Sequence, residues 1–512
     1  MDTSGVLTTL TLPSGVLMDS TKRIRSTIFG RYAVLVNAFT RPITVSTEGV
    51  VRVLCPRPPR TVPTLAGASG GSLSGTFRVW QSFLIFDDDG NLLAESDLGP
   101  ESAAATISSQ YLQASTLDRS PDDVSASRLY RTTTNGSVPF PWIDLDGNAQ
   151  TSILDDLADL GLQTVSAPTL GSPPDLTLIS EFKERLWGVS RTAIDILRYT
   201  EAQTMSAWPD SRALLVPREG GDDRGITGII PRNDNIIIGR QNRLFQIAGD
   251  DPVSFRVVQL KEEIGIEAID SIVTDKETTY FLAKDGVYAM GDASFDNVCE
   301  GKTRKWFNSD TYFNRARLRY AVGRLVPDSR KYQLLLSAAG SSNLDRWVEL
   351  DIPSNTWWGP HKTDDFTPTW MATILDANEN PLPIICSSTG FVYKDQATRT
   401  DGTATGIDFD VDEKFHDCDT PDIEKFFGRM ALISKVQAAG TLTITPKIGG
   451  LDASTGTAIS ADMTLGRETL PNLSESSVPG GRMVQLNFRH TTAGQDVELY
   501  GYEVEWHELG RR

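Results

Sequence analysis

Between residues 225 and 293 the apolar residues come in short runs separated by tight polar turns, with no stretch that reads as a helix between them. Thr279, Tyr280, Phe281 and Leu282 form a β-branched and aromatic run, Asp285-Gly286 supplies a turn, and Val287-Tyr288-Ala289-Met290 runs back. This pattern predicts a hairpin, because strand-forming runs flank a dipeptide that tolerates tight-turn geometry. The same shape occurs earlier, as Ile236-Ile237-Ile238, a polar turn from Arg240 to Asn242, and Leu244-Phe245-Gln246-Ile247, with Leu282 lying 44 residues after Ile238. It returns in PLPIICSSTGFVYKDQ, where Ile384, Ile385 and Gly390 each lie 104 residues after Tyr280, Phe281 and Gly286. Four-stranded units repeating at about 45 residues are the mark of a propeller, and the longer offset is about two such units.

Taken in order, residues 31–55 carry three short strands, Tyr32 to Val36, Ile43 to Val45 and Val50 to Leu54, the last two separated by a turn at Thr47-Glu48-Gly49. They read as another blade. A propeller left open has an unpaired sheet edge, so residues 1–60 are expected to close the propeller formed by residues 166–405. Residues 56–75, PRPPRTVPTLAGASGGSLSG, read as a Pro-, Gly- and Ser-rich boundary, with a linker over 61–75. Within residues 76–165, β-rich runs alternate with turns and predict a small inserted sandwich. Its segment ILDDLADLGL reads as a short helix or a loop with a solvated acidic face. In residues 406–512, Val484, Leu486 and Phe488 alternate with polar residues, as do Tyr500, Tyr502, Val504 and Trp506, which predicts a second β-sandwich. About five units after residue 174, joined by the N-terminal one, give an all-β chain with a propeller of about six blades.

Composition narrows the function. The 512 residues include 67 Asp and Glu against 49 Lys and Arg, a net charge of −18 spread along the chain. A field of that sign argues against a protein that grips phosphates. No apolar run reaches the length of a membrane span. The N-terminus lacks the basic flank and apolar core of a secretory signal, so the protein is expected to remain where it is made. Cys55, Cys299, Cys386 and Cys418 lie far apart with no CxxC pair, which suits reduced structural thiols better than a zinc site.

Candidate chemistry is sparse. Asp87-Asp88-Asp89-Gly90-Asn91 and Asp144-Leu145-Asp146-Gly147-Asn148 start like calcium loops but lack the rest of that pattern, and hairpin turns account for them. Asp408, Asp410 and Asp412 alternate along one strand face and could form a carboxylate pair for glycoside hydrolysis, a weak cation site, or an exposed strand. His361, His416, His490 and His507 share no zinc-binding spacing, and no Ser sits in a nucleophile elbow. His416-Asp417-Cys418-Asp419 is compact enough for a metal, although a polar loop explains it equally directly. Trp347 reads as core, and Trp357 or Trp358 as an interface candidate. No phosphate-cradling glycine loop and no basic patch interleaved with aromatics stands out. No catalytic, cofactor-binding or metal-binding residue is assigned, and no cofactor is called for.

The order of parts resembles the propeller-containing nozzle proteins, also called tail-hub or tail tubular proteins, of short-tailed bacteriophages. The resemblance is carried by the opening strand and hairpin YAVLVNAFTRPITV, the inserted module with SRLYRTTTNG, the propeller repeats, and the terminal strand LYGYEVEWHELGRR. It implies that the inserted sandwich is fibronectin-like. It also implies a non-enzymatic virion protein, made in the host cytoplasm and assembled as a homohexamer in the phage tail. Its partners would be adaptor and portal proteins on one side, tail fibre, spike or needle proteins on the other, and DNA in transient passage. Under this reading the acidic surplus keeps the lumen from holding the genome. The competing reading is a propeller enzyme or adhesin acting on surface polysaccharide.

Overall fold

The computed structural model describes residues 9–168, 170–218, 224–291, 294–301, 303–363, 366–376, 378–395, 400–401, 405–406, 409–449, 454–474, 480–491 and 497–510. The chain forms two compact units, Met1–Gly323 and Arg324–Arg512. Helix among the described residues is confined to one α-helical segment, Arg304–Asn308, and the 3-10 segments Asp159–Gly161 and Arg315–Tyr320. The fold is all-β and of β-propeller type, built from successive antiparallel sheets whose strands follow chain order.

In the first unit, blade 1 comprises Arg25–Phe29, Tyr32–Val36, Ile43–Ser46 and Val51–Val53. Blade 2 comprises Leu176–Phe182, Arg185–Ser190, Ile196–Tyr199 and Ala213–Leu215; blade 3, Gly228–Pro231, Ile236–Gly239, Arg243–Ala248 and Arg256–Glu262; blade 4, Ala268–Asp275, Thr278–Ala283, Gly286–Met290 and Phe295–Asn297. Inner strands such as Ile236–Gly239 and Gly286–Met290 are buried along their whole length, because they are packed on both faces. Such strands read as continuous apolar runs. Ile238 and Leu282 both lie on second strands, which is the structural content of their spacing. Between blades 2 and 3, Trp187 stacks on Tyr199 with ring centroids 4.6 Å apart and meets Phe255 edge-on at 5.2 Å. Between blades 3 and 4, Ile230, Ile237 and Leu244 pack with Ile266, Phe281 and Tyr288.

The N-terminal segment takes a place beside blade 2: Glu181 N donates to Thr27 Oγ1 at 3.0 Å and Asn37 N to the Leu176 carbonyl at 3.1 Å. It also contains Arg25–Phe29, a strand the sequence pattern did not separate from its polar surroundings.

The inserted sandwich stacks the sheet of Val79–Phe86, Leu92–Glu95, Ala126–Thr132 and Pro139–Asp146 on that of Thr64–Phe77, Ala105–Ser115 and Ser152–Asp155. Two expectations are corrected there. Most of the linker over 61–75 is strand, since Thr64–Phe77 pairs with Ala105–Ser115 throughout most of its length. Its glycines let backbones approach closely: a Cβ on Gly71 would lie 2.4 Å from Tyr111 N. The segment ILDDLADLGL is an edge strand, Ser152–Asp155, followed by the 3-10 turn Asp159–Gly161. Phe77, Val79, Leu112, Leu129 and Leu145 fill the space between the sheets.

The second unit contains the four-stranded sheet Val322–Val326, Lys331–Leu336, Arg346–Asp351 and Thr356–His361, then Pro368–Leu375, Pro381–Ser387 and Val392–Lys394. Its C-terminal sandwich sets the sheet of Phe409–Asp412, Met483–His490, Thr441–Gly449, Ser454–Thr455 and Ile459–Asp462 against Arg467–Asn472, Glu424–Ser434 and Leu499–Gly510. Phe427, Met430, Leu442, Ile444, Leu486 and Phe488 form its core.

Candidate functional site

The first strands of blades 1 to 4 run beside one another, and side chains from the first reach the fourth. Arg23 Nη1 and Arg25 Nε hold the Asp270 carboxylate at 2.7 and 3.4 Å, and Arg23 Nη2 donates to the Tyr320 carbonyl at 2.7 Å. Asp270 is almost fully buried, so the two guanidinium groups offset a desolvation cost that one alone would cover poorly.

Beside this clasp lies the sequence RARLRY, residues 315–320, wound as a 3-10 turn that puts two of its three arginines over one tyrosine. Arg317 lies over the Tyr320 ring at 4.3 Å and Arg319 at 4.8 Å from the centroid. A cleft of about 320 Å³ opens here, lined by Arg224, Gln241, Glu267, Lys284, Arg315 and Arg319 among others. Its single acid is already engaged: Glu267 Oε2 accepts from Arg224 at 2.7 Å and Gln241 at 3.2 Å. Among the described residues no carboxylate pairs with Lys284, Arg315, Arg317 or Arg319, and the buried Nε atoms of Arg315 and Arg317 find no acceptor. Sequence reading passed over this basic and aromatic cluster; the signal was the alternation of Arg315, Arg317 and Arg319 ahead of Tyr320.

The residues singled out from the sequence are placed otherwise. Asp87 to Asn91 form a hairpin turn, with Asp87 Oδ1 accepting from Asn91 N at 2.8 Å and Arg31 and Arg52 neutralising its carboxylates. At Asp144 to Asn148, Arg128 holds Asp144 at 2.7 Å, and Asn148 exchanges two hydrogen bonds with Ser120. Asp408 lies outside the described residues. Asp410 accepts from Asn487 and Asp412 pairs with Lys447 at 3.0 Å, both on an exposed strand. His416 sits 3.6 Å from Glu413, whose carboxylate also accepts from Tyr502, while the sulfur-bearing neighbour Cys418 packs against the sandwich core. His490 is buried, which lowers its pKa, and His507 lies against the Phe426 ring at 4.9 Å. No group of metal-ligating side chains is assembled among the described residues.

Trp347 is half-buried and tilted against His361 at 5.6 Å, which corrects its assignment to the core: it lies near the start of Arg346–Asp351, where a register shift between Trp347 and Glu349 interrupts the pairing with Thr356–His361. Trp358, on the outermost strand, is 51% exposed and remains available to a partner.

A buried polar network lies in the second unit. Arg324, only 1% exposed, pairs with Asp395 and donates to Gln333 and to the Ile384 carbonyl. Gln333 in turn donates to Glu349, which Lys331 reaches at 3.0 Å. Burial works to raise the Glu349 pKa, but nearby His361 and Lys331 and the hydrogen bonds from Lys331 and Gln333 hold it below the usual value. These groups fasten strands together.

No protein-family model matches the chain, and no curated protein matches it. Among solved structures, a chain described as YCF48 bound to D1 peptide is similar over 63% of this chain and 95% of that one, with 11% identity and a TM-score of 0.28.

Proposed function

We propose that the protein is a non-enzymatic virion component, the ring-forming nozzle of a short phage tail, in which six copies join adaptor and portal to the tail tip and give DNA a passage. The observation that carries this reading is the order of folded parts along one chain. One blade is followed by an inserted sandwich, then further blades, then a closing sandwich, the order in which the sequence resembles nozzle proteins. A structural role also suits how the acidic clusters are used: the Asp87, Asp144 and Asp412 carboxylates are tied to Arg31, Arg128 and Lys447. Glycoside hydrolysis needs two carboxyl groups facing one another across a sugar. Trp358 is a candidate anchor for a neighbouring copy or a tail protein, since exposed aromatic residues contribute strongly when an interface covers them.

The test is electron microscopy of the purified chain, alone and with an adaptor ring. Six-fold rings with a central opening are the expected outcome. A chain that stays monomeric at every concentration, yet shortens a capsular polysaccharide, would replace the nozzle with a propeller enzyme.

A further inference from the structure

We propose that the cleft beside the Arg315–Tyr320 turn is a binding site for phosphate-bearing ligands, with Lys284, Arg315 and Arg319 as the groups that hold the anion. In a chain whose net charge is −18, four cations and one acid line one cleft: Arg224 pairs with that acid, Glu267, and no described carboxylate forms an ion pair with the side chain of Lys284, Arg315 or Arg319. Self-repulsion among like charges is unfavourable unless a ligand relieves it. Elsewhere in the first unit arginines are mostly matched with acids: Arg41 and Arg57 share Asp122, Arg128 takes Glu95 and Asp144, and Arg240 takes Asp195. The turn also pre-arranges its forks. Tyr320 carries the guanidinium groups of Arg317 and Arg319 on its ring, which restrains them beside the cleft.

The class of ligand follows from charge and shape. A single carboxylate is satisfied by one guanidinium fork, whereas several cations on one cleft match a group with more charge and more acceptor oxygens. A phosphate ester meets both conditions, and about 320 Å³ is room for the phosphate and part of what carries it. The Nε atom of Arg315, buried without an acceptor, is a donor such a ligand could engage. The chemistry is shared by a nucleic-acid backbone and by small phosphate esters. It does not depend on the tail reading, because binding is measured on the purified chain whether or not rings form.

The experiment uses full-length protein, a fluorescein-labelled duplex of about 20 base pairs, and inorganic pyrophosphate as binding partner and competitor, at about 50 and 200 mM salt. The variants are Arg315→Ala combined with Arg319→Ala, Arg319→Gln alone, and Arg256→Ala as an exposed control of equal charge change per site. If the ligand is a nucleic-acid backbone, the duplex binds, pyrophosphate displaces it, the double variant weakens binding about tenfold or more, and the salt slope falls by about 2. Pyrophosphate binding that the double variant abolishes, without duplex binding, assigns the site to small phosphate esters. Should the double variant lose its circular dichroism, Arg319→Gln decides, since this exposed side chain only lies on Tyr320. Binding of both probes equal to that of Arg256→Ala overturns the proposal, as does no binding by the parent chain. Polyglutamate competing as well as pyrophosphate would also overturn it, and would give the cleft to an acidic protein surface.

Discussion

Gly286 and Gly390 follow the second strand of their sheets, and both adopt positive φ, +147° and +87°. Their surroundings differ. A Cβ on Gly286 would lie 3.2 Å from Cys299 Cβ, whereas nothing stands within 4 Å of one on Gly390. Gly286→Val is therefore expected to cost about 2–3 kcal/mol, from backbone strain and crowding together, and Gly390→Val about 1 kcal/mol from strain alone. Urea titration of the two variants checks the order, and equal losses would contradict it. Burial raises all four thiols, pushing Cys299 up to about 11 and Cys55 beyond it. At pH 8 a thiol reagent should label Cys386 and Cys418, the two half-buried cysteines, before Cys55 and Cys299, and all four after unfolding. Peptide mass mapping after timed quenching reads the order.

At the scale of elements, blade 1 is fastened to the inserted sandwich through one acid. Asp122, with its side chain fully buried, receives Arg41 at 2.7 Å and Arg57 at 2.8 Å, and also the Arg57 backbone N–H. Burial works to raise its pKa, but the hydrogen bonds from Arg57 and Arg41 outweigh it and hold the carboxyl below its ordinary value. A depressed carboxyl contributes stability that is present above its unfolded pKa of about 4 and lost as pH falls through the folded value. Asp122→Asn should therefore lower stability on the order of 3 kcal/mol at pH 7, with the gap from the parent narrowing below pH ~4. Denaturant melts at several pH values test it; a gap independent of pH would deny the ionised pair its role. The elements easiest to see in the sequence were second strands such as Ile236–Gly239, where packing on both faces demands an unbroken apolar run. Thr64–Phe77 was hidden because its glycines admit close neighbours, the Gln110 side chain at Gly67 and the facing backbone at Gly71, and such a composition also marks a flexible linker. Trp347 misled for a related reason, since an aromatic residue's size says nothing of where along a strand the pairing is interrupted, as it is between Trp347 and Glu349. The cationic cleft was masked by a whole-chain charge of the opposite sign, and its parts, Arg224, Lys284 and Arg315, are distant in sequence.

At the scale of the molecule, the N-terminal residues matter beyond their number. Removing residues 1–60 takes away blade 1, both arginines that hold Asp270, and the neighbour of Leu176–Phe182. The truncated chain should melt at lower temperature and aggregate through the uncovered strand edge; calorimetry and light scattering measure both, and an unchanged melting temperature would refute the dependence. The same clasp sets a schedule during synthesis. Arg23 meets Asp270 across 247 positions of chain, so at about 5–20 residues per second a ribosome needs roughly 10–50 s to deliver the carboxylate after the arginine has emerged. Blade 1 does not wait uncovered through that interval. The sandwich, complete by about residue 155, lays Phe83, Ile85 and Ala94 against Ile43 and Val53. An insertion that looks like an interruption of the propeller thus serves as its nurse, sheltering the first blade until the fourth arrives to lock it.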